Sequence, residues 1–150
     1  MQYWVSVTDN DWYEFLAELL PDEVNFWRPT GGRFAAIKEG SPFLFKLHSP
    51  LNYIGGGGFY VRHSVLPLSL AWEAFGSKNG APDRAASYQR IQRYRGARVR
   101  AEADANIGCT ILTSPFFFDQ EDWIPVPRDW MPNIVRGRTY DTQEPTGAAL

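Results

Sequence analysis

Residues 37–61 read IKEGSPFLFKLHSPLNYIGGGGFYV, and their interpretation decides the architecture. KEGSP is a turn, and PFLFKLHSP after it is a central strand. Side chains alternate across a strand, so Phe43, Phe45 and Leu47 share one face while Leu44 and Lys46 share the other. PLNY then bends the chain into IGGGGFYV. Four successive glycines, Gly55–Gly58, weaken a strand and need a reason: a bulge, a tight coil of the sheet, or close contact with other backbone. The run lacks the GxxxxGK spacing of a phosphate loop and does not open a helix after a strand. It therefore points to strong strand curvature at the centre of a bent sheet.

Working outward, YWVSV at 3–7 is a short strand. A helix follows from about Asn10 to Leu20, with Trp12, Phe15, Leu16 and Leu19 at helical spacing. Pro21 stops it, and Thr8, Asp9 or Asn10 can cap it. NFWRPTGG at 25–32 reads as a loop, with a short strand at 33–37 behind it. His63-Ser64 leads into VLPLSLAWEAF, a helix ending at Gly76, and Pro82 opens another to about Tyr94. The segment to Asn106 is loop-like. IGCTILTSPFFF is a further strand, and three prolines between Ile124 and Pro132 exclude a helix there. The fold class is α+β, mostly β: a curved sheet or open pseudo-barrel with flanking helices, in one domain over 1–143. Residues 144–150 are expected to form a flexible tail or linker.

The 150 residues suffice for a proper core. A net charge of −2 beside 44% apolar residues indicates a folded domain and not a strongly basic nucleic-acid binder. The charge is nonetheless split. Asp9, Asp11, Glu14, Glu18, Asp22 and Glu23 precede any Lys or Arg, whereas Arg84, Arg90, Arg93, Arg95, Arg98 and Arg100 crowd one stretch. Such a run is either a solvated face or a patch that meets phosphates. The lone Cys109 excludes an internal disulfide and a cysteine-rich zinc site. No signal pattern and no run of membrane-spanning length appear, so a cytoplasmic protein is expected.

Catalytic chemistry has few candidates. His48 and His63 are the only histidines and show no metalloprotease spacing. Asp119, Glu121 and Asp122 read as a solvated turn ahead of a Mg²⁺ site. The supply of residues favours binding over catalysis, with no metal and no cofactor. A flat polar ring is held by aromatic faces, with amides and hydroxyls reading its edge. Asn25, Phe26, Trp27, Arg28, His48, Ser49, Asn52 and Tyr53 provide that chemistry. Phe26 and Trp27 are adjacent, so in an extended segment they point opposite ways; Trp27 is the expected stacker and Phe26 the core residue.

The order YWVSVT, NFWRPTGGRFAAIKEGSPFLFKLHSP and IGGGGFYV resembles the PUA-like superfamily, especially its EVE and ASCH-like branches. Ile37, Lys38, Gly40, Phe45, His48 and Ser49 stand in the places of a motif that reads hydrophobic-KxGDxx-hydrophobic-FYHS. Ser41 replaces the expected acid, and Lys46-Leu47 replaces the FY pair. The likeness covers residues 1–62 well and Trp123 to Val135 loosely. More narrowly, NFWRPTGG through FLFKLHSP, the stretch from HSVLPLSLAWEAFG to KNGAPD and the segment from IGCTIL to YDT, nearly the whole chain, resemble the amino-terminal region of bacterial HNH-type restriction endonucleases. That resemblance implies a phage-defence sensor that flips a modified base, such as 5-methylcytosine or 5-hydroxymethylcytosine, out of double-stranded DNA. It implies a pocket wall of Asn25, Phe26, Trp27, His48 and Ser49. Asn52 and Tyr53 join by proximity, and Trp123 and Trp130 close the pocket from the tail. Arg28, Arg62, Arg84, Arg90, Arg93, Arg95, Arg98, Arg100, Arg136 and Arg138 would grip phosphates. No His-Asn-His arrangement follows Asp141, so cleavage is expected of a separate HNH domain and not of this chain. Alternatives are an RNA-binding PUA-like module, a small metal-dependent hydrolase using His48, His63 and a carboxylate, and a protein-interaction domain.

Overall fold

A computed structural model describes residues 1–95 and 104–150. In chain order the elements are β1 (Gln2–Thr8), α1 (Asn10–Leu19), β2 (Glu23–Arg28), β3 (Pro42–Leu47), β4 (Tyr53–Pro67) and α2 (Leu68–Phe75). A 3-10 turn (Gly76–Asn79), α3 (Arg84–Arg95), β5 (Asn106–Phe117), a second 3-10 turn (Gln120–Asp122), β6 (Ile124–Pro125), β7 (Gly137–Asp141) and α4 (Pro145–Ala149) complete it. The strands form one open sheet in the order β2-β5-β4-β3-β1-β7, with β6 paired to β4. Among the described strands only β1 and β3 pair in parallel. The α+β class and the curved, helix-flanked sheet expected from the sequence are what the chain adopts.

The glycine run bends that sheet in two ways. Pairing slips between Phe45 and Lys46 on β3, and between Gly57 and Phe59 and between Tyr60 and Arg62 on β4. Backbones also approach too closely for side chains: a Cβ at Gly56 would lie 2.1 Å from the Phe116 carbonyl oxygen, and one at Gly57 2.6 Å from that of Phe43. At Gly55 it would meet the Tyr13 ring at 2.9 Å. Bulge and close contact are therefore both present.

The alternation in β3 holds. Phe43, Phe45 and Leu47 are buried in the main core with Trp12, Leu16, Phe26 and Leu112. Trp12 sets its edge against Phe26 at 5.2 Å and Phe45 at 5.1 Å. On the other side Leu44 packs with Tyr3, Val5, Ile54, Tyr140, Ile124, Trp130 and Leu150. Lys46 is buried there too, its Nζ donating to Asn52 Oδ1 at 2.9 Å over the Trp130 ring.

Several boundaries differ from expectation. Asn25–Trp27 lies inside β2 and not in a loop, because each residue from Glu23 to Arg28 pairs with β5. No strand forms over 33–37. The helix expected from Ser64 begins only at Leu68; β4 keeps its partners on β5 as far as Pro67, which takes an extended conformation as the N-cap of α2. Residues 145–149, expected as tail, form α4, where the Gly147 carbonyl accepts the buried Tyr3 hydroxyl at 2.6 Å. Arg98 and Arg100 lie outside the described residues. No described helix is long and apolar enough to cross a membrane.

Candidate functional site

A cleft of about 400 Å³ lies along the edge strand β2, between the start of α1, the end of α3 and the chain at Val135–Arg136. Ser6, Val7, Asp9, Trp12, Phe26, Trp27, Arg28, Pro29, Thr30, His48, Tyr94, Val135 and Arg136 line it.

Its floor is fixed by a buried amide relay. Asp9 caps α1 by accepting from the Trp12 amide at 2.8 Å. The Trp12 indole N–H reaches the Asn25 carbonyl at 3.3 Å. Asn25, wholly buried, donates through Nδ2 to Asn79 Oδ1 at 2.8 Å, and Trp27 Nε1 donates to the Asn79 carbonyl at 2.9 Å. Asn79 Nδ2 in turn binds the Ala71 and Gly76 carbonyls at 3.1 and 2.9 Å. Gly80 follows with φ +87°, and a Cβ there would sit 2.0 Å from Trp12 Cδ1, so only glycine closes this turn against the indole. Buried polar groups are costly unless satisfied, and the relay pairs these donors and acceptors into a brace, with Asn25 Oδ1 finding no hydrogen-bond partner among the described residues.

Phe26 and Trp27 both reach the cleft, by different routes. Phe26 belongs mainly to the core, with its ring 4.8 Å from Phe43. Trp27 faces Tyr94, ring centroids 6.0 Å apart. Tyr94 stacks in turn on His48 at 6.5 Å and 28°. Its hydroxyl donates to Asp9 Oδ2, which also meets Arg93 at 3.3 Å. Burial first, then the Asp9 carboxylate, pushes the Tyr94 hydroxyl up to about 12, so the ring stays neutral. Burial holds the His48 imidazole below its ordinary value, Asp9 opposing and Lys46 assisting. Asn10 clamps the His48 backbone, accepting its N–H at 2.8 Å.

The remaining wall is cationic. Arg28 is half-buried with its guanidinium 4.9 Å above the Phe34 ring. Burial and then the charge of Arg136 lower its proton affinity. Among the described residues no carboxylate lies within 4.0 Å of either guanidinium.

Of the residues expected in a base pocket, the cleft gathers Phe26, Trp27 and His48, and of the expected phosphate contacts Arg28 and Arg136. Asn25 lies beneath as a brace. Ser49, Asn52 and Tyr53 are exposed beyond the cleft. Trp123 packs against Tyr13, donating to its hydroxyl at 3.2 Å, and Trp130 joins the second core cluster. Arg62 is exposed elsewhere. Arg84 lies over Tyr88, Arg90 donates to the Gly80 carbonyl, Arg95 is buried, and Arg138 pairs with Asp129 at 2.8 Å. His63 holds Gly32 and Thr110 with its two ring nitrogens, away from the cleft. Asp119, Glu121 and Asp122 bring ligand atoms within 4.8 Å of one another on an exposed turn. Tyr94 and Asn79 went unrecognised in the sequence: one sits among arginines that read as a charged helix face, the other in a loop-like SKNGAP. Asp9 was recognised only as a cap, which it also is.

No protein-family model and no curated protein matches the chain. Among solved structures, ASCH from Zymomonas mobilis superposes with a TM-score of 0.62 at 12% identity, over 98% of this chain and 93% of that one. Two single-substitution variants of that protein superpose with TM-scores of 0.52 and 0.50, at 12% and 10% identity. They cover 87% and 79% of this chain and 91% and 75% of theirs. The chain thus shares its fold with these ASCH structures. The comparisons lend no support to the HNH-endonuclease resemblance.

Proposed function

We propose that this domain binds RNA by admitting one unpaired nucleotide into the cleft. The observation that carries this reading is the conjunction of a ring-lined slot with two guanidiniums that have no acidic partner among the described residues. Sequence-specific RNA recognition relies on splayed bases stacked on aromatic or guanidinium planes. Trp27, His48 and Tyr94 offer the planes, and Arg28 and Arg136 the positive side. The cleft volume falls within the roughly 300–1,000 Å³ of small-ligand sites.

An unpaired strand suits this surface better than a duplex. Gripping a duplex takes several free cations, yet Arg90, Arg93 and Arg138 are engaged within the domain. An already unpaired base also avoids the few kcal/mol that extrusion from a helix costs. The second reading uses the same cleft for a flipped modified cytosine in double-stranded DNA, with cleavage left to a separate HNH domain. The resemblance of residues 1–62 to EVE domains favours it. In both readings this chain binds and does not cut.

Competition at fixed salt tests the choice. Labelled single-stranded RNA should be displaced by unlabelled RNA at least about tenfold more readily than by duplexes with or without 5-methylcytosine. Tighter binding of the methylated duplex would overturn the RNA reading.

A further inference from the structure

We infer that the Arg28–Arg136 corner of the cleft is a seat for a phosphomonoester, so that the nucleotide bound is one carrying a terminal phosphate. The inference rests on the RNA reading and narrows it to strand ends or free nucleotides.

Three observations carry it. Both arginines line one cleft, and neither guanidinium has a carboxylate partner among the described residues. Burying one cation beside another is unfavourable unless an anion is supplied. Among the described residues the only carboxylate lining the cleft, that of Asp9, is already engaged by the Trp12 amide, Arg93 and Tyr94.

Both arginines are also held in place. Arg28 ends β2, paired with Gly108, and its head rests on Phe34. The Arg136 carbonyl accepts from the Val7 amide at 2.7 Å and from Ser6 Oγ at 3.3 Å, which pins this part of the chain to β1. A planar guanidinium placed like that of Arg28, with the Arg136 backbone anchored beside it, suits forked contacts to phosphate oxygens.

Charge then distinguishes the two possible phosphates. An internal phosphodiester carries a single negative charge, whereas a phosphomonoester near neutral pH carries about −1.5 to −2. Two guanidiniums without a carboxylate partner among the described residues match the second. The ring-lined slot of Trp27 and His48 lies in the same cleft, so base and terminal phosphate would be read together.

The experiment uses one short RNA in three forms: 5′-phosphate, 3′-phosphate, and hydroxyl at both ends. Binding is followed by fluorescence anisotropy with an internal label. One phosphorylated form should bind on the order of tenfold tighter than the hydroxyl form. Inorganic phosphate at constant ionic strength should erase that advantage. Arg136→Gln, at an exposed position, should reduce it to about twofold or less without unfolding the domain. Arg28→Gln should do the same, and Arg136→Gln stands alone if the half-buried position proves intolerant. Equal binding of all three forms would overturn the inference and leave the RNA reading intact. A phosphate advantage unchanged in Arg136→Gln would also overturn it. Failure of every form to bind would remove the RNA reading and this inference together.

Discussion

Helix α1 divides two concave surfaces that share a composition of rings and differ in charge. To one side lies the cleft, reached by Asp9 and Trp12 and closed by Arg28 and Arg136. To the other lies a shallower groove of about 630 Å³, lined by Asp11, Tyr13, Glu14, Glu18, Asp119 and Trp123 among others. Both have aromatic walls: Trp27, Tyr94 and His48 in the first, Tyr13, Trp123 and Phe118 in the second. Arg90, the cation lining the groove, donates to the Gly80 carbonyl. Aromatic content alone therefore does not tell the two surfaces apart. Local field does, and a chain of net charge −2 carries both signs a helix width apart.

The contrast breaks most completely at its brace. Asn79→Ala strands the Asn25 amide and two carbonyls, and should cost about 3 kcal/mol of stability in chemical denaturation. It should also loosen the cleft while leaving the emission of Trp123 in its own setting. Next in size is a paired comparison of rings. Trp27→Ala should weaken RNA binding by about 1–3 kcal/mol, the usual worth of one stacked base, whereas Trp123→Ala should change it by less than about twofold. Equal losses would show that both surfaces meet the strand. A smaller effect comes from reversing the acidic side. Glu14→Lys with Glu18→Lys should speed RNA association roughly two- to threefold at low salt, and the gain should vanish at high salt.

The smallest effect is that of pH on His48. Its folded-state proton affinity is depressed, so folding favours the neutral ring. The associated stability is fully present above the ordinary value of about 6.5 and is lost as pH falls below it, toward the lower folded value. His48→Gln should flatten thermal stability across that window, with denaturation midpoints at successive pH values as the measure.

What could be read in advance follows from where the information resides. The strand PFLFKLHSP and the helix at Trp12–Leu19 declare themselves through periodicity, a local property. So does the need for curvature at Gly55–Gly58, although the partners that crowd it, Phe43 and Phe116, are far apart in sequence. NFWR reads as a loop because its strand character depends on β5, some eighty residues later, and Pro67 reads as a first helical turn for the same reason. In the site, Trp27, His48 and Arg28 are legible as chemistry. Tyr94 and Asn79 are not, since a tyrosine among arginines and an asparagine in a turn have bland local readings. Only the tertiary fold brings Tyr94 to His48 and Asn79 to Trp27.

The last strand of the sheet, β7, pairs with the first. Met1 donates to Thr142 Oγ1 at 3.0 Å and accepts from the Thr142 amide at 2.9 Å, while α4 lies against Tyr3. The backbone thus nearly closes into a ring at the sheet edge opposite β2. A chain of this topology has no privileged opening. A short flexible linker from Leu150 to Met1, with a new break in the exposed turn at 38–40, should yield a permuted domain with the same sheet order.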